Sequence, residues 1–179
     1  LGAAHRPGQV HAFESRPARG FVAHCRHVEG AGRIMRDDAI DLVVIATHHD
    51  AHHPMALAAA QAGKHILLEK PMCLTYAHAV EVAEAVEKAG VKCVINCKFR
   101  IALPAQKARE LLPRPRLSHG QLAMNDSGKS GSTWVWHVDD GGGLLISTAV
   151  HTIDLLAYLM DSAPDRVYAE GQVFGENKG

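Results

Sequence analysis

The chain alternates short apolar runs with longer stretches of helical periodicity. Asp41-Leu-Val-Val-Ile-Ala46 is apolar throughout after its first residue, the pattern of a strand covered on both faces. His65 to Leu68 and Lys92 to Ile95 read the same way, and Phe21 to Cys25 is a shorter β-prone run. Between these runs lie helical segments. Pro54 to Ala62 is Ala-rich, with Pro54 suited to a first turn and Gly63 to a stop. Thr75 can cap a helix over Tyr76 to Ala89, where Ala79, Val82, Ala83 and Val86 recur at helical spacing before Gly90. Strands alternating with helices of this length predict right-handed βαβ units around a parallel sheet, an α/β fold.

Past Arg100 the texture changes. A helix over Pro104 to Leu112 leads into the Pro-rich hinge Pro113-Arg-Pro-Arg116 and a strand-like Leu117 to Met124. A Ser- and Gly-rich loop runs from Asn125 to Thr133. Gly141-Gly-Gly143 then opens a long apolar helix, Leu144 to Met160, and Arg166 to Phe174 alternates like a strand. A domain boundary near Phe99 follows, with residues 1–98 as one domain and 99–179 as the opening of an α+β domain whose sheet is incomplete.

Composition narrows the function classes. The 179 residues amount to one full domain, or one domain and part of a second, at roughly 100–200 residues each. A 47% apolar content excludes wholesale disorder. With 19 basic and 19 acidic side chains there is no cationic excess for nucleic acid or an anionic membrane. No apolar stretch is expected to reach a membrane span, and no signal peptide opens the chain. Cys25, Cys73, Cys93 and Cys97 form no CxxC pair and read as free thiols in a reducing cytoplasm. Cys93 and Cys97, four apart on a strand, would point the same way but lie too far apart to bridge. A start at Leu1 rather than Met reads as a truncated segment.

Ligands of open parallel sheets bind beyond the carboxyl ends of the strands. There the chain places Thr47-His48-His49-Asp50, then Glu69-Lys70-Pro71, then Asn96. Three polar strand ends converging on one edge would make a site; taken alone, Glu69-Lys70 is equally a solvated ion pair. A cis Lys70–Pro71 bond would suit so tight a turn. The run from His48 to His53 invites a metal reading, but adjacent histidines rarely all face one ion, and no metal site is predicted.

The strand end Asp41 to Pro54 and the stretch Ala62-Gly-Lys-His-Ile-Leu-Leu-Glu-Lys-Pro71 resemble the Gfo/Idh/MocA oxidoreductases, relatives of glucose-fructose oxidoreductase and inositol dehydrogenase. Gly141-Gly-Gly-Leu-Leu-Ile-Ser-Thr-Ala-Val-His151-Thr-Ile-Asp154 is similar to that family's second motif, with Trp136 before it and Pro164-Asp-Arg-Val167 after it. The resemblance implies a Rossmann-like NAD- or NADP-binding domain over residues 1–98 and a substrate domain after it. It also implies hydride transfer to or from a sugar, cyclitol or related polyol, and a homo-oligomer built through the second domain's sheet. Carried over by position, Thr47, His48, His49 and His52 would line the nicotinamide end, beside Asn96 and Trp136. Glu69 would hold ribose, Lys70 would contact the reacting oxygen, and His151 would be the acid/base.

The chain also departs from the family. Ser147 stands where the family has an Asp four residues before the His; it would orient the imidazole without charge, or Asp154 would supply a carboxylate from the same helical face. Asp154 reads equally as a solvated or capping residue. Of the phosphate-binding glycines only Gly2 and Gly8 are candidates, no strand precedes them, and the segment from Cys25 to Asp41 is short for a complete crossover. These losses keep open a second class: a Rossmann-like binding module without hydride transfer. Aligning Phe21 to Cys25 with the second strand of a dinucleotide fold puts Arg26 at the ribose-reading position, which favours NADP over NAD.

Overall fold

The computed structural model describes residues 20–22, 28–112, 115–121, 133–143 and 145–171. Four parallel strands form one sheet in the order β1 (Gly20–Val22), β2 (Leu42–Ile45), β3 (His65–Leu68) and β4 (Cys93–Ile95). Helix α1 (Val28–Met35) joins β1 to β2, so the segment that looked short for a crossover completes one. A 3₁₀ turn, His49–Ala51, runs into α2 (His52–Gln61), and α3 (Tyr76–Ala89) connects β3 to β4. Pro54 falls in the first turn of α2, as the sequence predicts. The Thr75 hydroxyl caps α3 by accepting from His78 N at 3.2 Å, and Gly90 ends that helix at φ +66°.

The core lies between the sheet and α2 with α3. Val43 and Ile45 of β2 and Ile66 and Leu68 of β3 alternate inward and are buried with Met55, Ala56, Ala59 and Ala60 of α2 and Val82 of α3. The small side chains of α2 let that helix sit close on the strands. The continuous apolar runs predicted burial on both faces. Leu42, Val44 and Leu67 are only half-buried, so the described residues fully cover one face alone. On α3 the inward position is Val82, flanked by Ala79, Ala85 and Val86; Ala83 turns to solvent, against the predicted stripe.

Beyond β4 lie α4 (Lys98–Ile101), α5 (Leu103–Leu111), a 3₁₀ turn at Thr133–Trp136, α6 (Val138–Gly141), a π-type turn at Leu145–Ala149 and α7 (Val150–Met160). The long helix predicted over Leu144 to Met160 is thus a π-type turn followed by an α-helix. The strands predicted over 117–124 and 166–174 do not form in their described parts, 117–121 and 166–171. Alternation alone does not make a strand; its backbone groups need a neighbouring ladder, and none lies beside these segments among the described residues. Cys97 lies past the end of β4 at the start of α4, so it does not share a strand with Cys93. One further expectation is corrected: Val138–Met160 is long and apolar enough to cross a membrane by length and composition alone. Gly142 and Gly143, at φ +76° and +71°, interrupt its helical path. Core helices of globular proteins meet the same criterion, so this stretch is weak grounds for a membrane reading.

Candidate active site at the carboxyl edge of the sheet

Strand register brings the predicted polar ends together. Ile45 pairs with Leu68 and Leu68 with Ile95, and the ladder continues through Glu69 N to Ile45 O at 2.9 Å and Asn96 N to Leu68 O at 2.8 Å. Glu69 and Asn96 therefore stand side by side at two strand ends, with Thr47 one residue past the level position on the neighbouring strand. Asn96 Nδ2 donates to Glu69 Oε1 at 2.6 Å, and the Lys70 backbone N–H donates to Glu69 Oε2 at 3.3 Å. The Lys70–Pro71 bond is cis.

Lys70 reaches across to the second half of the chain. Its Nζ donates to the backbone oxygen of Ser147 at 2.7 Å, one helical turn before His151. Burial holds the Lys70 ammonium below the ordinary lysine range; Glu69 opposes that shift and Lys98 adds to it. His151 is also held low, first by burial and then by the charges of Lys70 and Lys98, while Glu69 and Asp154 pull it up. A neutral imidazole beside an ammonium can take a proton near neutrality while the cation steadies a forming oxyanion. Phe99, just past β4, packs its ring 4.8 Å from that of His151.

The histidines face different ways. His48 stacks on Trp134 at 4.2 Å. His49 is buried, donates from Nδ1 to Gly141 O at 2.8 Å and meets Trp134 edge-on at 4.7 Å. These contacts tie the loop after β2 to α6 and the turn before it. Burial holds the His49 pKa down. His52 is wholly buried and donates from Nδ1 to Pro71 O at 2.7 Å, so it supports the Glu69–Pro71 turn from below and does not line an open cofactor surface. His53 pairs with Glu81 at 2.7 Å and stacks on His78 at 4.0 Å. Among the described residues, no group of three or more His, Cys, Asp or Glu side chains is placed to hold a metal ion.

Other expected site residues fall elsewhere. Both oxygens of Asp154 accept from Arg100, so this carboxylate is held by a guanidinium, and its charge acts on His151 from that position. Ser147 is buried and contributes its backbone oxygen to Lys70. The Trp136 backbone closes the 3₁₀ turn, but its side chain, like Gly2, Gly8 and Arg26, lies outside the described residues. Strand order removes the basis for the Arg26 alignment. In a dinucleotide fold ordered 3-2-1-4-5-6 the second strand lies next to the first and third, whereas β1 pairs directly with the strand that ends at Thr47. Sequence reasoning missed Trp134, Phe99 and Arg100. Trp134 has a signal, since it lies two residues before the candidate Trp136 in the same Thr133–Trp136 turn.

A parallel βαβ sheet whose carboxyl edge gathers a carboxamide, a carboxylate, an ammonium and an imidazole defines a Rossmann-type α/β protein with a polar site at its strand ends. The chain belongs to the GFO/IDH/MocA oxidoreductase family: residues 8–97 match its NAD-binding Rossmann fold and residues 112–179 its C-terminal domain. It is 26% identical over 168 residues to 1,5-anhydro-D-fructose reductase of Ensifer adhaerens, covering 86% of this chain and 47% of that protein. Against scyllo-inositol 2-dehydrogenase (NAD(+)) of Bacillus subtilis it is 26% identical, covering 78% and 41%. Among solved structures, a levoglucosan dehydrogenase in complex with NADH and levoglucosan is similar at a TM-score of 0.60 and 30% identity, over 72% of this chain and 37% of that one. The chain spans less than half the length of these relatives.

Proposed function

We propose that this chain carries the nicotinamide end and the proton-transfer edge of an NAD(P)-dependent dehydrogenase or reductase acting on a sugar, cyclitol or related polyol. Residues 1–98 form its cofactor domain and residues 99–179 open its substrate domain. The single observation that carries the reading is the 2.7 Å bond from Lys70 Nζ to Ser147 O, which joins the ammonium after β3 to the turn that leads into His151.

The donor set at the edge suits the cofactor. Glu69 is half-buried, and its carboxylate, steadied by Asn96, keeps lone pairs free for ribose hydroxyls. The nicotinamide, when bound, supplies or takes up hydride. His151 takes the hydroxyl proton of an alcohol or returns it to a carbonyl, and Lys70 places positive charge on the reacting oxygen. Thr47 and the backbone of the His48–His49 loop border the same edge, with His52 fixing the turn that presents Lys70. The reaction belongs to the cytoplasm, where Cys73, Cys93 and Cys97 stay reduced.

Two observations favour the second reading, a binding module without turnover: Lys70 bonds to a backbone oxygen, and residue 147 brings no carboxylate. Fluorescence titration with NADH and NADPH, followed by turnover assays on levoglucosan, scyllo-inositol and 1,5-anhydrofructose, separates the two. Lys70→Ala and His151→Ala are each expected to lower turnover ~10²–10⁴-fold with cofactor binding retained. Ser147→Asp is expected to raise it. Cofactor binding without turnover in the wild type establishes the module, and wild-type rates in both alanine variants remove the assigned roles.

A further inference from the structure

Helix α7 is apolar in composition, yet none of its residues is buried, and Ile153 is 56% exposed. Its apolar side chains are at most half-buried, so polar links join apolar packing in setting the rotation of this helix about its own axis. Arg100 of α4 donates from Nε to Asp154 Oδ2 at 2.7 Å and from a terminal nitrogen to Oδ1, a two-pronged fork of defined geometry. Arg109 of α5 holds the far end, pairing with Asp161 and donating to Tyr158 O at 3.1 Å. The Tyr158 ring lies near both guanidinium groups, 5.7 Å from that of Arg100 and 4.5 Å from that of Arg109. His151, Asp154 and Tyr158 follow one another at intervals of three and four residues, so they share one helical face, and Asp161 ends the helix just beyond them. The clamped face is thus the face that carries His151.

We infer that Arg100 is a positioning residue for His151: its fork to Asp154 fixes the rotation of α7 and so turns the imidazole toward Lys70 and against the Phe99 ring. The inference rests on the acid/base role proposed for His151, but its test reads where the ring sits, not what it does. A lysine at position 100 would keep the charge and lose the second prong. Four charged groups act on the imidazole: Lys70 and Lys98 lower its proton affinity, and Glu69 and Asp154 raise it.

The test is NMR of the 179-residue chain as wild type, Arg100→Met, Arg100→Lys and the exchange Arg100→Asp/Asp154→Arg. Wild type should show nuclear Overhauser contacts between the Phe99 and His151 rings. Arg100→Met should lose them, and the His151 midpoint should rise as Asp154 loses its cation. Arg100→Lys should lose at least half their intensity with little change of midpoint. The exchange variant should restore the contacts. Contacts unchanged in Arg100→Met, or lost there and not restored by the exchange, overturn the inference. Should Arg100→Met fail to fold, Arg100→Lys decides alone, and contacts at wild-type strength in it are a refutation. Contacts that respond as expected while His151→Ala turns over normally would keep the positioning and discard the acid/base role.

Discussion

Replacing Gly141 with alanine probes how the second half of the chain is held to the sheet. An added Cβ would lie 2.3 Å from Val135 Cα and 2.6 Å from both its carbonyl carbon and oxygen. Unstrained carbon contacts begin near ~3.5 Å, so α6 and the preceding turn must separate by about 1 Å, against backbone that has no rotamer to change. Overpacking of this kind costs about 1–3 kcal/mol where neighbours yield. Yielding here strains the His49 bond to Gly141 O, worth about 1 kcal/mol, and the ring contacts of His48 and His49 with Trp134, worth about 0.5–1.5 kcal/mol. The expected loss is about 2–4 kcal/mol in urea unfolding. Gly143 is the control: at φ +71° with nothing within 4 Å of an added Cβ, Gly143→Ala carries left-handed strain alone, about 1–2 kcal/mol. Tryptophan emission and the His49 titration separate the mechanisms. Gly141→Ala should shift the native emission to the red and return the His49 midpoint upward; Gly143→Ala should do neither. Wild-type emission in Gly141→Ala, with a loss below about 1 kcal/mol, would refute the reasoning.

Acid should weaken the fold. Burial holds the pKa values of His49 and His52 down, so the unfolded chain takes up protons at higher pH than the folded one. Their contribution is complete above the unfolded value near ~6.5 and is lost as pH falls through the folded values, at up to about 1.4 kcal/mol per pH unit for each ring; an equal or higher urea midpoint at pH 5.5 than at pH 7.5 contradicts this. Thr75→Ala removes the α3 cap and should cost about 1 kcal/mol, with Thr75→Ser restoring most of it in thermal unfolding. Burial pushes the Cys73 thiol up to about 11, so mass-spectrometric iodoacetamide labelling at pH 8 should reach Cys73 slowly in the native chain and quickly in urea; equal rates would mean the thiol is not sequestered.

What the sequence disclosed follows from what is local. The strands β2 and β3 were legible to within a residue because apolar runs sit between clear punctuation, and α3 because Thr75 and Gly90 mark its ends. The convergence of Thr47, Glu69 and Asn96 was legible because parallel register aligns strand ends. Pairings across the chain were not. Nothing near Asp154 announces Arg100, 54 residues away, and no spacing tells whether a histidine ring will stack on Trp134, bond Pro71 O or pair with Glu81. The alternation at 117–121 and 166–171 misled for the same reason, since a strand is completed by a neighbour that its own residues do not specify.

The strand order has a consequence for how the protein is made. Each described strand pairs with the next one in the sequence: Gly20 meets Leu42, Leu42 meets His65, and Ile66 meets Cys93. No described strand must wait for a later insertion between it and its neighbour, so the loops closed between described strands are short and their entropic cost small. As the chain leaves the ribosome, the sheet can grow outward one βα unit at a time. The helix bearing His151 emerges after the four described strands, onto a sheet edge they already form.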